Sequence, residues 1–352
     1  MYDIILSFIT AFTVTFFAIP SIIHIAKVKH LVDVPGERRS HHVPTPSLGG
    51  IGIFAGVIFS ILMWTPFTVF GELQYILCAF ILIFLIGAKD DIIPMSPTKK
   101  LVGELLAATI IALKADIRIT SFYGVFGVNE LSFTVSIILS IFIIIVIINS
   151  FNLIDGINGL SGSIGTLISV VLGAWFYLTE NLALSIIAFS LAGALIAFLK
   201  YNFTPAKIFM GDTGALLVGL ISAILIIKFI EVHRVNNASP YLVKAVPAVA
   251  IGILILPLFD TLRVFITRIL NGRSPLYPDR THIHHLMLDL GFSHMQATAI
   301  LVFVNLIFII IAFLFQNIGT LNLLVLILTL ATILSSGLYN AVNKKKMRRM
   351  SM

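Results

Sequence analysis

The residues whose types and spacing could do chemistry are Asp90-Asp91, the turn Asn149 to Gly159 with Asn152 and Asp155, the stretch Asn202 to Gly214 with Phe209 and Asp212, and the run Arg280-Thr-His282-Ile-His284-His285. Each stands at the border of a long apolar run. Adjacent carboxylates at such a border are costly unless paired or metal-bound. Neighbours i and i+1 on a helix point about 100° apart. Asp90 and Asp91 can therefore do different jobs, one facing a metal and the other a proton or a lysine. The plainer reading is a solvated helix end.

The turn Asn149-Ser-Phe-Asn152-Leu-Ile-Asp155-Gly156-Ile-Asn158-Gly159 holds three Asn and one Asp but no Lys or Arg, so charge anchoring does not explain it. Amides and a carboxylate suit hydrogen bonds to a base or ribose, and the glycines allow close backbone approach. A tight helix–helix turn would need the glycines but not three Asn. Asp212, between Gly211 and Gly214, opens an apolar run. A carboxylate there matches a helix dipole, and helix N-termini also bind phosphate. Three His in four residues, with Arg268, Arg273 and Arg280 nearby, fit an anionic ligand. A metal site is the competing reading. The stretch from Asp33 through Arg38, Arg39, His41 and His42 to Gly49-Gly50 adds a loop rich in proline and basic residues.

The elements that must position these groups are membrane helices. The chain has 352 residues, 59% hydrophobic and 11% charged, against roughly 45–50% and about 25% in soluble domains. A soluble enzyme, a disordered chain and a nucleic-acid binder are excluded on that ground. Eleven apolar segments are read as spans, near 4–26, 47–66, 73–88, 101–115, 132–150, 159–178, 181–199, 213–230, 244–266, 295–315 and 321–342. With the N-terminus outside, 18 of the 23 Lys and Arg fall on the inner side, as the positive-inside rule requires. Eight of the nine His lie there too; only His233 does not. The expected fold is thus all-α and polytopic, with an external N-terminus, a cytoplasmic C-terminus and a short external β-hairpin near 117–133. Residues 1–343 form one integral-membrane domain, and 344–352 form a basic cytoplasmic tail that anchors to anionic headgroups. The first residues carry no basic segment ahead of the apolar run and do not read as a cleavable signal. Lone Cys78 excludes an intrachain disulfide and a cysteine metal site.

Carboxylates, amides, Arg and His gathered on one membrane face, without a P-loop, suit a Mg²⁺-bound diphosphate, because Mg²⁺ takes one or two carboxylates plus phosphates and water. Two other classes remain. A transporter would place charges near the bilayer midplane and often show repeats; a di-iron membrane oxygenase would need several His boxes.

Taken together, Asp33-x-Pro35 to Gly50, Asp90-Asp91, Asn149 to Gly159, Pro205 to Gly214 and Ser274-Pro275 through His285 run in the order of one family across the whole chain. The sequence resembles the polyprenyl-phosphate N-acetylhexosamine-1-phosphate transferases of glycosyltransferase family 4, WecA/TagO-type branch; the muramyl-pentapeptide branch has a different His-rich ending. The resemblance implies transfer of a sugar 1-phosphate, GlcNAc-1-phosphate or that of another UDP-N-acetylhexosamine, from the UDP-sugar to undecaprenyl phosphate with release of UMP. This would be the first membrane step of a cell-envelope glycan, at the cytoplasmic face of a bacterial inner membrane. It also implies a homodimer, and Mg²⁺, with Mn²⁺ as a substitute, held by Asp212. Asp90, Asp91 and Asp155 are the implied catalytic aspartates, with Asp90 the base at the acceptor phosphate. Asn152, Asn202 and Phe209 are implied nucleotide contacts. Arg280, His282, His284 and His285 are implied to hold the sugar-diphosphate. Where some relatives carry a second aspartate in the Asp-Gly-Ile-Asp turn, this chain has Asn158.

Overall fold

The computed structural model describes residues 1–32, 44–235, 240–272, 274 and 281–350. The expectations placed on Asp33, Arg38, Arg39, His41, His42, Arg273, Pro275 and Arg280 lie outside the described residues. Within them the chain is helical: α1 (Tyr2–Val28), α2 (Gly49–Trp64), α3 (Phe70–Ile92), α4 (Pro97–Thr109), α5 (Phe133–Ile154), α6 (Leu160–Leu178), α7 (Leu182–Asn202), α8 (Gly211–Val235), α9 (Val246–Ile253), α10 (Ile255–Leu270), α11 (Ile283–Leu290), α12 (His294–Leu314) and α13 (Thr320–Met350). Seven of these, α1, α5, α6, α7, α8, α12 and α13, are long and apolar enough to cross a membrane. The pair α9–α10 adds an eighth candidate, bent by 84°. The protein is a polytopic membrane protein.

Burial orders the bundle. Of the candidate spans, α7 and α8 are the most enclosed, while α1 and α13 face outward over most of their surface. α7 packs on α1 and α6, and α8 packs on α3 and α5. Small residues permit the closest crossings, as is usual where lipid gives helices no hydrophobic reason to associate. On α2, a Cβ at Gly50 would collide with the backbone at Thr213–Gly214, and one at Gly56 would meet Thr15 and the Ala11 carbonyl.

Two sequence expectations change. The segment 244–266 is not one helix. Pro257 has no N–H to give the Ile253 carbonyl, and the helix breaks at Leu254. Buried Asn305 of α12 repairs the break: its Nδ2 donates to Ile253 O at 3.2 Å and its Oδ1 accepts from Leu256 N at 3.1 Å. The same economy appears in α1, where Pro20 frees the Phe16 carbonyl and the Tyr201 hydroxyl donates to it at 3.2 Å. Second, the hairpin near 117–133 reduces to a single antiparallel bridge, Ser121 to Glu130, with no strand among the described residues. α13 runs on without a break through the basic residues from Lys344.

Candidate active site

One cavity of about 670 Å³ opens where the ends of α3, α5 and α7 meet the start of α8. Asp90, Asp91, Asn152, Asp155, Asn202, Phe209, Asp212 and His285 all line it. These residues come from five stretches of sequence, and the alternating helices bring them to one end of the bundle.

The two neighbouring aspartates divide their work. Asp91 caps α8: its Oδ1 accepts from Asp212 N at 2.7 Å, and its Oδ2 accepts from Thr213 N at 3.0 Å and Thr213 Oγ1 at 2.5 Å. A carboxylate across the free N–H groups of a helix start satisfies orphan donors and the dipole together. Gly211, at φ +71°, is required here, since a Cβ would strike Ser47 O and the Asp91 carboxylate. Asp91 is therefore first a positioning residue for its neighbour Asp212.

Asp90 turns the other way. Its Oδ1 accepts from Met95 N at 2.5 Å, and its Oδ2 lies 3.7 Å from Lys100 Nζ. Lys100 also donates to Asp212 Oδ2 in a very short ion pair. The Asn152 amide, oriented by its neighbours, donates from nitrogen to Asp212 Oδ1 at 3.1 Å and accepts at oxygen from Lys100 Nζ at 3.0 Å. One turn deeper, buried Glu104 of α4 accepts from Asn149 Nδ2 of α5 at 2.5 Å. The spacings 100/104 and 149/152 put both pairs on one helix face each, so two polar rungs join α4 to α5. Sequence reading missed Lys100. In the sequence Lys100 is one of the basic residues of the inner face, and nothing in the spacing separates it from Lys99.

The turn after α5 carries Asp155, whose Oδ1 accepts from Ser161 Oγ at 2.5 Å. Burial, opposed by the Ser161 hydroxyl and assisted by the Asp91 charge, pushes its carboxyl up to about 6. Asn202 ties that turn to the next loop, accepting from Gly159 N at 2.7 Å and donating to Ile208 O at 2.9 Å. It lines the cavity as a staple between two backbones. Phe209 is held by its own main chain: its N–H donates to Pro46 O at 2.7 Å, and its carbonyl accepts from Gly49 N at 2.9 Å. That last bond explains the Gly49-Gly50 start of α2, whose free N–H groups are taken by the carbonyls of Phe209 and Met210.

The three histidines do not act as one cluster. His282 is buried, with Nδ1 bonded to Asp260 Oδ2 at 2.9 Å. His284 is 2% exposed and its ring lies on Gly156, leaving no room for a Cβ there. Burial, reinforced by His285 beside it, holds the His284 imidazole down at about 3, so it is neutral near pH 7. Neither ring nitrogen of His284 has a hydrogen-bond partner among the described residues. Of the three, only His285 lines the cavity. Arg280 lies outside the described residues.

Among the described residues the donor set is hard oxygen: carboxylates of Asp90, Asp91, Asp155 and Asp212 around the Lys100 ammonium. Among the described residues no three His, Cys, Asp or Glu side chains form a ready metal cage. Such a site suits Mg²⁺, which uses one or two carboxylates and completes its shell with substrate phosphates and water. The described carboxylates would repel a diphosphate that came without a cation.

A family model described as glycosyl transferase family 4 matches residues 73–230, which includes Asp90, Asp91, Lys100, Asn152, Asp155 and Asp212. A probable undecaprenyl-phosphate N-acetylglucosaminyl 1-phosphate transferase of Bacillus subtilis is 30% identical over 322 residues, covering 90% of this chain and 86% of the relative. An undecaprenyl-phosphate alpha-N-acetylglucosaminyl 1-phosphate transferase of Salmonella typhi is 29% identical over 272 residues, 76% of this chain and 71% of the relative. A decaprenyl-phosphate N-acetylglucosaminephosphotransferase of Mycolicibacterium smegmatis is 27% identical over 313 residues, 83% and 77% of the two chains.

Proposed function

The chain belongs to glycosyl transferase family 4, and from that premise we propose that it transfers GlcNAc 1-phosphate from UDP-GlcNAc to undecaprenyl phosphate, releasing UMP. The observation that carries this reading is the meeting of Asp90, Lys100, Asn152, Asp155 and Asp212 at one end of a membrane bundle. A water-soluble nucleotide sugar and a membrane-held phosphate can meet at such a place. The charge bias supports eleven spans, an external N-terminus and a cytoplasmic cavity, and the bacterial relatives support a bacterial inner membrane. It is the same bias that puts Lys100 and Lys345 on one face.

The reaction joins an oxygen of the acceptor phosphate to the sugar-bearing phosphorus and breaks that phosphorus–oxygen bond to UMP. Phosphoryl transfer is governed by positioning and charge neutralisation. Asp212, with Asp90 beside it, would hold Mg²⁺, which when bound neutralises the diphosphate and the departing phosphate. Asp90 takes the last proton of the acceptor phosphate at Oδ2, the oxygen that faces Lys100. Lys100 keeps Asp90 and Asp212 at a fixed separation, and Asn152 orients Asp212. Asp91 aims the first turn of α8 at the site. His285 and Phe209 line the cavity that receives the nucleotide sugar, and Asn202 keeps its floor in place. The single test is purified protein with Mg²⁺, a polyprenyl phosphate and a panel of UDP-N-acetylhexosamines, scored by UMP release. Release with UDP-GlcNAc alone is expected; release with none of the panel refutes the reading.

A further inference from the structure

α11, which carries His284 and His285, is only eight residues long. A helix this short has no stability of its own in water, so its ends must be held from elsewhere. At its start, Asp260 of α10 accepts from Ile283 N at 3.0 Å and bonds His282. Arg263 Nη2 braces the same carboxylate at 2.9 Å and donates to Thr281 O at 2.5 Å. At its end, Gly291 turns the chain at φ +98°. Beyond it, Lys345 of α13 donates from Nζ to the carbonyls of Leu290 at 2.7 Å and Asp289 at 3.2 Å. Lys346 pairs with the Asp289 carboxylate at 3.3 Å. Lys345 thus sits over the unsatisfied carbonyls and negative dipole end of α11, where a cation stabilises most. It is half-buried, whereas Lys344 is exposed.

The basic segment at the C-terminus reads from sequence as a lipid anchor. The contacts give one of its lysines a different task. The C-terminal turn of α11 follows directly on His285, which lines the cavity, and His284, which packs on the Asp155 turn at Gly156. We propose that Lys345 is a positioning residue for the active site: by capping α11 it sets where His285 meets the nucleotide sugar. The proposal rests on the reaction stated above. Its effect should fall on the UDP-sugar and spare the lipid phosphate, which the proposed reaction seats at Asp90.

The test uses the full chain in nanodiscs of neutral lipid and of anionic lipid, with Lys345→Met, Lys345→Arg and Lys344→Met compared. UMP release is measured against UDP-GlcNAc and against polyprenyl phosphate separately. Lys345→Met is expected to raise KM for the UDP-sugar about two- to fivefold, the range for one helix-end charge. KM for the lipid phosphate should stay unchanged, and Lys345→Arg should restore the UDP-sugar KM. Lys344→Met, with the same loss of charge, should behave as the unmodified protein in both lipids. Hydrogen exchange of the α11 amides, read without substrate, should quicken in Lys345→Met alone. Unchanged exchange and KM in Lys345→Met overturn the proposal. So does an equal defect in Lys344→Met that anionic lipid relieves, which would assign the segment to the lipid surface. An unmodified protein that releases no UMP refutes the reaction instead, and the exchange measurement still decides the role of Lys345.

Discussion

Asp155→Asn should make the protein more stable and less active, by an amount that depends on pH. The Asp155 carboxyl is raised from 3.8 to about 6, chiefly by burial. The folded chain therefore keeps a proton between about pH 4 and 6 that the unfolded chain releases, so stability falls as pH rises through that window. Above pH 6 the penalty is complete. A shift of about two units at ~1.4 kcal/mol each corresponds to about 3 kcal/mol, and partial exposure of the side chain lowers this to ~1–2 kcal/mol. Asparagine has the same shape, can still bond Ser161 Oγ and does not titrate. At ~2–4 °C per kcal/mol for sizeable domains, Tm at pH 8 should rise by about 2–8 °C. At pH 4 most of that gain should vanish. Turnover should fall at both pH values, because the carboxylate faces the cavity; a functional site often holds such a destabilising group. The assay is a thermal melt of detergent-purified protein across pH, paired with UMP release. An equal Tm change at pH 4 and pH 8, or a fall at pH 8, would refute the reasoning.

Lys100→Met should cut the rate about 10- to 100-fold, the loss for a hydrogen-bonded charge pair, while Lys99→Met leaves it within twofold; steady-state UMP release compares them. Asp212→Asn should be inactive at every pH, and EDTA should silence the unmodified protein until excess Mg²⁺ is added, measured in the same assay. Gly211→Ala should lose roughly 1–2 kcal/mol from its left-handed backbone alone, and more from displacing Asp91; a lower Tm with activity lost in parallel is the expected result. Cysteines at Asn129 and Lys344 in a Cys78→Ala background should label from opposite sides of the membrane, and labelling of both from outside would remove the eleven-span topology.

Partition between lipid and water is a property of each stretch of chain taken alone. Hydropathy, loop charge and the polar breaks at Asp90-Asp91, Asn149 to Gly159 and Asp212 therefore sufficed to read an all-helical membrane protein with those polar residues gathered at one end. The order of those breaks sufficed to reach the family. Partner choice is different, because it depends on how helices far apart in sequence cross. That Asp91 caps α8 and Asp90 meets Lys100 follows from α3 lying against α8 and α4. That His282 belongs to Asp260, His284 to Gly156 and only His285 to the cavity follows from the seating of α11 between α10 and the turn after α5. Lys100 and Lys345 look like any other inner-face lysines in the sequence. Their partners, the Asp90 and Asp212 carboxylates and the Asn152 amide for Lys100 and the open end of α11 for Lys345, are brought within reach by tertiary structure alone.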